Sequence, residues 1–340
     1  MLMTDNNITI GHGSGGALMH KLLEEVFMRA FHNPMLAQQG DAAVLDTLAG
    51  SLALTTDSYV VHPLFFPGGN IGKLAVCGTL NDLAVAGAKP LGLSASFILE
   101  EGLEMDVLRS VVDAMAAEAG KAGAPIITGD TKVVEKGKAD QVFINTTGLG
   151  LVPAGRGHIA GMGSLQPGDV LIVSGTMGDH AVAVMSAREG LGWKSPVLSD
   201  CADLGPLIET LDHEMADIHA MRDITRGGLA TVLTEIASRC RLGMEVLEAQ
   251  IPVLQETLGF CDIMGMDPLH LANEGKALIA VSAGRADDVL RLLQRHPLGV
   301  MASIIGKVTG DHPGQVIMQT RIGGRRRLMP LPGTVLPRIC

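Results

Sequence analysis

The chain has 340 residues, with 47% hydrophobic and 18% charged residues and a formal net charge of −10. That is enough for two domains with sizeable cores, and the sign of the charge excludes a nucleic-acid or anionic-membrane binder. Aromatics are only 3%, too few for platforms that stack bases or sugars. The opening MLMTDNN lacks a basic stretch and a long apolar run, and Leu74 to Leu99 is broken by Asn81, Asp82, Lys89 and Pro90. The expectation is a cytoplasmic protein with no leader and no membrane span.

Asn7 to Ile10 lead into Gly11-His12-Gly13-Ser14-Gly15-Gly16, and Leu18, Leu22, Leu23, Val26, Phe27 and Phe31 then recur at helical spacing. Residues 1–35 therefore read as a glycine turn and a helix. Gly40 to Leu45 and Leu52 to Asp57 read as two short strands with aspartates at their edges. A buried helix over 72–86 is stopped by Gly87, with Pro90 beyond. A strand at 91–98, an amphipathic helix at 105–119 and a strand at 141–152 complete a first α/β unit, with Ile126 and Ile127 leading into Gly129-Asp130. The Gly- and Pro-rich stretch 153–167 marks a boundary. Beyond it the pattern predicts a strand from Val170, helices at 178–188, 203–219 and 227–240, and a strand at 277–282. A helix at 285–294 and strands at 301–308 and 315–320 follow. Residues 321–340, with Arg325-Arg326-Arg327 and three prolines, read as an exposed tail. The fold class is α/β (α+β), divided as 1–35, 36–155, 156–320 and 321–340.

The cysteines are Cys77, Cys201, Cys240, Cys261 and Cys340. No CxxC exists, so a zinc knuckle or thioredoxin motif is excluded, and the first four read as small hydrophobes of the core. Cys340 differs because it closes a Pro/Gly-rich segment. Ten extended residues reach about 33–36 Å, which suits a thiol carried between sites; an incidental cysteine is the plain alternative.

Gly11, Gly13 and Gly16 match the G-x-G-x-x-G spacing of nicotinamide-binding proteins. The required acid, Asp41, stands ahead of its apolar run and after a loop containing Pro34, which weakens that match. A loop that cradles phosphate with backbone N–H groups and a plain glycine turn are the other readings. Asp41, Asp57, Asp82, Asp130 and Asp223 each sit where an apolar segment meets a turn. One such aspartate is an ordinary cap. Five fit Mg2+, which takes a few carboxylates together with phosphates and water. No Walker A motif is present: in Gly69-Asn70-Ile71-Gly72-Lys73 the lysine is followed by Leu74. In Asp223-Ile224-Thr225-Arg226-Gly227-Gly228, Arg226 offers a fork suited to phosphate, unless the segment is only a helix start capped by Thr225. Asn273-Glu274-Gly275-Lys276 precedes an apolar strand and can place Glu274 in a cleft.

Read in order, GHGSGG, GDAAVLD, LTTDSYVV, GGNIGKLAVCGTLNDLAVAGAKP, TGDTKVV, DITRGGLA and ANEGK run over essentially the whole chain. They resemble the ATP-dependent superfamily of aminoimidazole ribonucleotide synthetase, selenophosphate synthetase and thiamine-monophosphate kinase. The terminal PRIC resembles its hydrogenase-maturation branch, the carbamoyl dehydratases. The resemblance implies a two-domain aminoimidazole ribonucleotide synthetase-like fold. Its N-terminal domain would build a β-barrel across a homodimer, and its C-terminal tail would be flexible. It implies ATP and Mg2+ as cofactors, with Gly13, Gly15, Gly16, Asp41, Thr56, Asp57, Asn81, Asp82, Asp130, Asp223 and Arg226 around them and the five aspartates on the metal. It implies that Cys340, S-carbamoylated by a carbamoyltransferase of the HypF type, is dehydrated to the thiocyanate, with Glu274 as base and Lys132 stabilising oxygen or phosphate charge. The cyanide would pass to the iron of nickel–iron hydrogenase on a HypC–HypD type scaffold. Rival readings are a sister synthetase or kinase, a nicotinamide dehydrogenase and a non-enzymatic scaffold that docks through its tail. The sister selenium enzyme carries its reactive residue near the N-terminus, where residues 1–40 here hold no cysteine.

Overall fold

The computed structural model describes residues 7–14, 16–38, 42–43, 45, 50–188, 195–330 and 338–340. A 3-10 turn (Ile10–Gly13) precedes α1 (Ala17–Leu22), which continues as a π-helical stretch, Leu23–Met28. Then come β1 (Ser51–Tyr59), β2 (Phe65–Phe66), β3 (Gly69–Asn70), α2 (Ile71–Val85), β4 (Lys89–Glu100), α3 (Met105–Lys121), β5 (Ile126–Val134) and β6 (Val142–Val152). The four long strands form one sheet in the order β1-β6-β4-β5, antiparallel except for the β4–β5 pair. Helices α2 and α3 cover one face. Helix α2 is apolar all round because it lies between this sheet and the second half of the chain. Its start is capped by Asn70, whose Oδ1 accepts from Lys73 N at 3.0 Å. Gly72 lets it lie on α3, since a Cβ there would stand 2.1 Å from Val111 O. The other face of the sheet leaves Leu52, Leu54 and Ile98 exposed, Leu54 by 73%. Among the described residues, strands β1 and β5 are its edges.

The second half comprises α4 (Gly157–Gly161), β7 (Val170–Val173), α5 (Asp179–Ser186), α6 (Gly205–Glu209), β8 (Ile218–Asp223), α7 (Gly228–Cys240), β9 (Gly243–Leu247) and α8 (Gln255–Met264). It continues with β10 (Ala277–Val281), α9 (Ala286–Gln294), β11 (Ser303–Thr309), β12 (Val316–Gln319) and β13 (Arg325–Leu328). Its seven strands form one mixed sheet, β13-β12-β9-β11-β7-β10-β8, in which only β9 and β12 pair in parallel. One apolar cluster lies on each face of this sheet. The core of the first half extends into α5 and α8, so the halves share buried surface.

Three expectations change. The helix expected over 203–219 is instead α6, a 3-10 turn at Asp212–Glu214 and strand β8. Ile208, Leu211, Met215 and Ile218 keep a near-helical spacing and are all buried, but Ile218 enters the sheet opposite Val281. Strand β9 and helix α8 fall in a stretch to which the sequence pattern assigned no element. The exposed tail is shorter than expected: β13 pairs with β12, burying Leu328, and Arg325 and Arg326 bond Glu245 and Asp267. The strand expected at 40–45 lies largely outside the described residues.

Candidate active site

The alternation of β1 decides which of its side chains meet α2. Thr55, Asp57 and Tyr59 point to the helix, and the Thr55 hydroxyl donates to Asp82 Oδ2 at 2.6 Å. The Tyr59 hydroxyl lies 3.5 Å from Asp57 Oδ2. Gly78 makes room for that ring, since a Cβ there would stand 2.2 Å from the phenolic oxygen. From the other half, β8 ends on the buried Asp223. The chain then turns through Arg226 and two glycines with φ +77° and +64° into α7. A Cβ on Gly228 would stand 2.5 Å from Leu269 O. Glu274 lies just before β10, fully buried. Its backbone N–H donates to Asp200 Oδ1 at 3.0 Å.

These groups and Cys340 line one cavity of about 170 Å³: Asp57, Ser58, Tyr59, Gly78, Asp82, Arg222, Asp223, Thr225, Arg226, Glu274 and Cys340. Four carboxylates face two arginines, and the titrations follow. Burial, then Asp82, raise Asp57 to about 6. Burial, then Asp82, raise Asp223 to about 7. Burial, reinforced by Asp200 and Asp223, holds Glu274 well above the usual carboxylate range. Burial, then Glu274, push the Cys340 thiol up to about 12, so the seated cysteine is a thiol and not a thiolate.

The other expected residues go elsewhere. Asp130 and Lys132 form an exposed ion pair at 2.7 Å on β5. Gly13 packs against Val133 of the same strand, where a Cβ would stand 2.8 Å from Val133 N, and Gly16 caps α1. Strands β1 and β5 are opposite edges of a four-stranded sheet, about 14 Å apart at ordinary strand spacing. Thr56 points to the exposed face, where Thr147 donates to its hydroxyl at 3.0 Å. Asn81 has its amide fully engaged: Nδ2 donates to Ala202 O and Glu274 O, each at 3.0 Å, and Oδ1 accepts from Leu204 N at 2.7 Å. It ties α2 to the second half, with both N–H donors used inside the protein. Gly15 and Asp41 lie outside the described residues.

Among the described residues, no three His, Cys, Asp or Glu side chains are grouped so as to hold a metal ion alone. The set Asp57, Asp82 and Asp223 nevertheless suits a cation completed by phosphate oxygens. The charge of Asp82 raises both Asp57 and Asp223, and a bound cation would relieve that repulsion. Missed in the sequence were Tyr59, the only tyrosine in the chain, and the buried Asp200–Lys276 ion pair at 3.2 Å beneath Glu274. Lys276 follows Glu274 by two positions; Asp200 carries no local signal. No helix among the described residues is long and apolar enough to cross a membrane.

Comparison with known proteins fits this geometry. The family model "AIR synthase related protein, N-terminal domain" matches residues 39–152, and its C-terminal-domain counterpart matches 166–319. The carbamoyl dehydratase HypE of Rhodobacter capsulatus is 47% identical over 342 aligned positions that span all of both chains. A crystal structure of the hydrogenase maturation protein HypE in complex with ATP superposes with a TM-score of 0.93 at 46% identity, over 97% of this chain and 99% of that one. HypE in a HypE–HypF complex gives 0.79 at 45% identity, over 93% and 100%. Matched end to end in sequence and fold, the chain belongs to the carbamoyl dehydratase HypE family of AIR synthase related proteins.

Proposed function

We propose that the protein dehydrates an S-carbamoyl group on its own Cys340 to the thiocyanate at the expense of ATP. The observation that carries this reading is the seat of Cys340 in one cavity with Glu274 and three further carboxylates. A thioester-like carbamoyl on that sulfur would put its N–H hydrogens beside Glu274. The balance is RS–C(O)NH2 plus ATP giving RS–C≡N, ADP and phosphate. The carbamoyl oxygen leaves in the phosphate and both N–H hydrogens leave as protons.

Bound Mg2+–ATP supplies the phosphoryl group that makes the oxygen a leaving group. Asp57, Asp82 and Asp223 would hold the cation, and Arg226 would face the phosphates. Positioning and charge neutralisation by these groups are what phosphoryl transfer requires. Glu274, in the cavity wall beside the sulfur, takes the N–H protons.

Lys132 and Asp130 belong to the reading through the second copy or through a nucleotide that spans the sheet. A homodimer closing the open four-stranded sheet into a barrel would cover Leu52, Leu54 and Ile98 and remove two bare edges. Residues 36–155 and 156–320 are then the two working domains. The stretch beyond β13 is the carrier that meets a HypF-type carbamoyltransferase and hands cyanide to the iron on a HypC–HypD type scaffold. The cytoplasm, where such maturation partners work, is the compartment this assigns.

The test is an intact mass. S-carbamoylated protein given Mg2+–ATP should lose one water from the peptide that ends at Cys340. Loss of the same mass from Cys340→Ala would sink the assignment.

A further inference from the structure

The last residues are held by more than their side chains. His180 on α5 is fully buried, at 0% exposure. Its Nε2 lies 2.5 Å from the Ile339 carbonyl oxygen and its Nδ1 lies 2.8 Å from Ser199 Oγ. A ring nitrogen facing a carbonyl must carry the hydrogen, so Nε2–H donates and Nδ1 accepts from the Ser199 hydroxyl. Ser199 Oγ accepts in turn from Cys201 N at 3.1 Å. Phe66 stands edge-on to the imidazole at 5.4 Å. Around this centre, Arg188 donates to the carbonyls of Arg338 and, at 3.0 Å, of His62. Val60 N donates to the Cys340 carbonyl at 3.4 Å. The Arg338 guanidinium donates to Asp140.

A histidine is an unfavourable choice for an apolar helix face unless both nitrogens are used. Here one is spent on the main chain of a residue 159 positions away. The seated sulfur lies at the wall of a cavity of about 170 Å³. A second protein's active site cannot enter that volume, so a carbamoyl donor must meet Cys340 when the segment has left. A neutral hydrogen bond to a carbonyl suits such a seat, because at the buried end of the segment it holds the chain without a buried charge, the Arg338–Asp140 ion pair being at the exposed end.

We propose that His180, oriented by Ser199, is the positioning residue that seats Cys340 for dehydration and sets the balance between the seated thiol and a released one that accepts the carbamoyl group. This rests on the proposed function.

The variants are His180→Phe, which keeps a ring but has no donor; His180→Gln, which keeps an N–H; and Ser199→Ala, which frees the imidazole. Alkylation of Cys340 by iodoacetamide, read on its peptide, reports release. Single-turnover conversion of preloaded S-carbamoyl protein under Mg2+–ATP reports seating. Loss of one such bond corresponds to about a fivefold shift. His180→Phe should therefore raise Cys340 alkylation and lower dehydration, the ratio of the two shifting about fivefold, with the ATP KM unchanged and His180→Gln partly restored. Buried Cys77 and Cys201 are internal controls. If they also become reactive in His180→Phe, the fold has loosened and Ser199→Ala decides, by the same opposite changes at a smaller factor. Parental Cys340 alkylation in the deciding variant overturns the proposal. If the parent itself never dehydrates, the functional reading fails while the alkylation arm still judges the seat.

Discussion

Asp223→Asn separates the charge of the carboxylate cluster from its packing. In the fold Asp223 ionises near pH 7, against 3.8 for the free side chain, chiefly through burial and then through Asp82. Between those values the unfolded chain has released a proton that the folded protein keeps. Stability therefore falls as pH rises and levels off above pH 7. Asparagine carries no such dependence. Whatever its packing cost, the advantage of Asn over Asp should grow between pH 5 and pH 8. At 1.36 kcal/mol per pH unit over the two units up to the folded pKa, the growth is about 2–3 kcal/mol. The assay is urea unfolding followed by circular dichroism at both pH values, without nucleotide and with a chelator present. An advantage that is the same at pH 5 and pH 8 would refute the electrostatic account. The same variant should lose the thermal stabilisation that Mg2+–ATP gives the parent, because the ligand relieves the charge that the substitution removes.

Glu274→Gln keeps the volume and the backbone bond to Asp200. It should leave S-carbamoyl protein stranded, with dehydration down by about 10²–10⁴-fold as expected for loss of a general base; intact mass shows the uncleaved water. Gly78→Ala places a Cβ 2.2 Å from the Tyr59 hydroxyl, and overpacking of that kind costs about 1–3 kcal/mol. A lower melting temperature together with weaker ATP binding is expected, and an unchanged pair of values would contradict the packing. Leu54→Glu addresses the open sheet face, where Leu54 is 73% exposed. Burying two leucines across the proposed two-fold interface would contribute about 3–6 kcal/mol, so the Kd of the proposed dimer should rise at least a hundredfold in mass photometry.

What was legible in the sequence follows from how local each signal is. Helices α2, α3 and α7 were readable because glycines stop the first two and open the third, and β4, β6 and β10 because apolar runs end at turn residues. Strand β8 was not. Its apolar residues continue the helical spacing of the segment before it, and only pairing with β10 makes Ile218 a strand residue. Among site residues, Asp57, Asp82, Asp223, Arg226, Glu274 and Cys340 do meet around one cavity. Asn81 and Thr56 show the limit. Both stand beside a cavity aspartate in sequence, yet helix phase turns Asn81 into a tie between halves and strand alternation turns Thr56 outward. His180 and Asp200 have no local signature, because their partners lie at 339 and at 274 and 276.

The cavity is assembled from both halves of the chain, and that makes its cost intelligible. β1 and α2 supply Asp57 and Asp82, while β8 and the turn before β10 supply Asp223 and Glu274. Brought together by folding, Asp57, Asp223 and Glu274 are raised by burial and then by the charge of neighbouring acids, so their charged forms are disfavoured. Folding tolerates them because a neutral tie, Asn81 to Ala202, Leu204 and Glu274, holds the halves together, and the Asp200–Lys276 pair braces the second half beneath Glu274. A frame fixed by neutral bonds and one buried ion pair leaves the acids as an unpaid electrostatic deficit. A cation–phosphate ligand would cancel that deficit, so the repulsion that costs stability in the free protein becomes affinity when the ligand arrives.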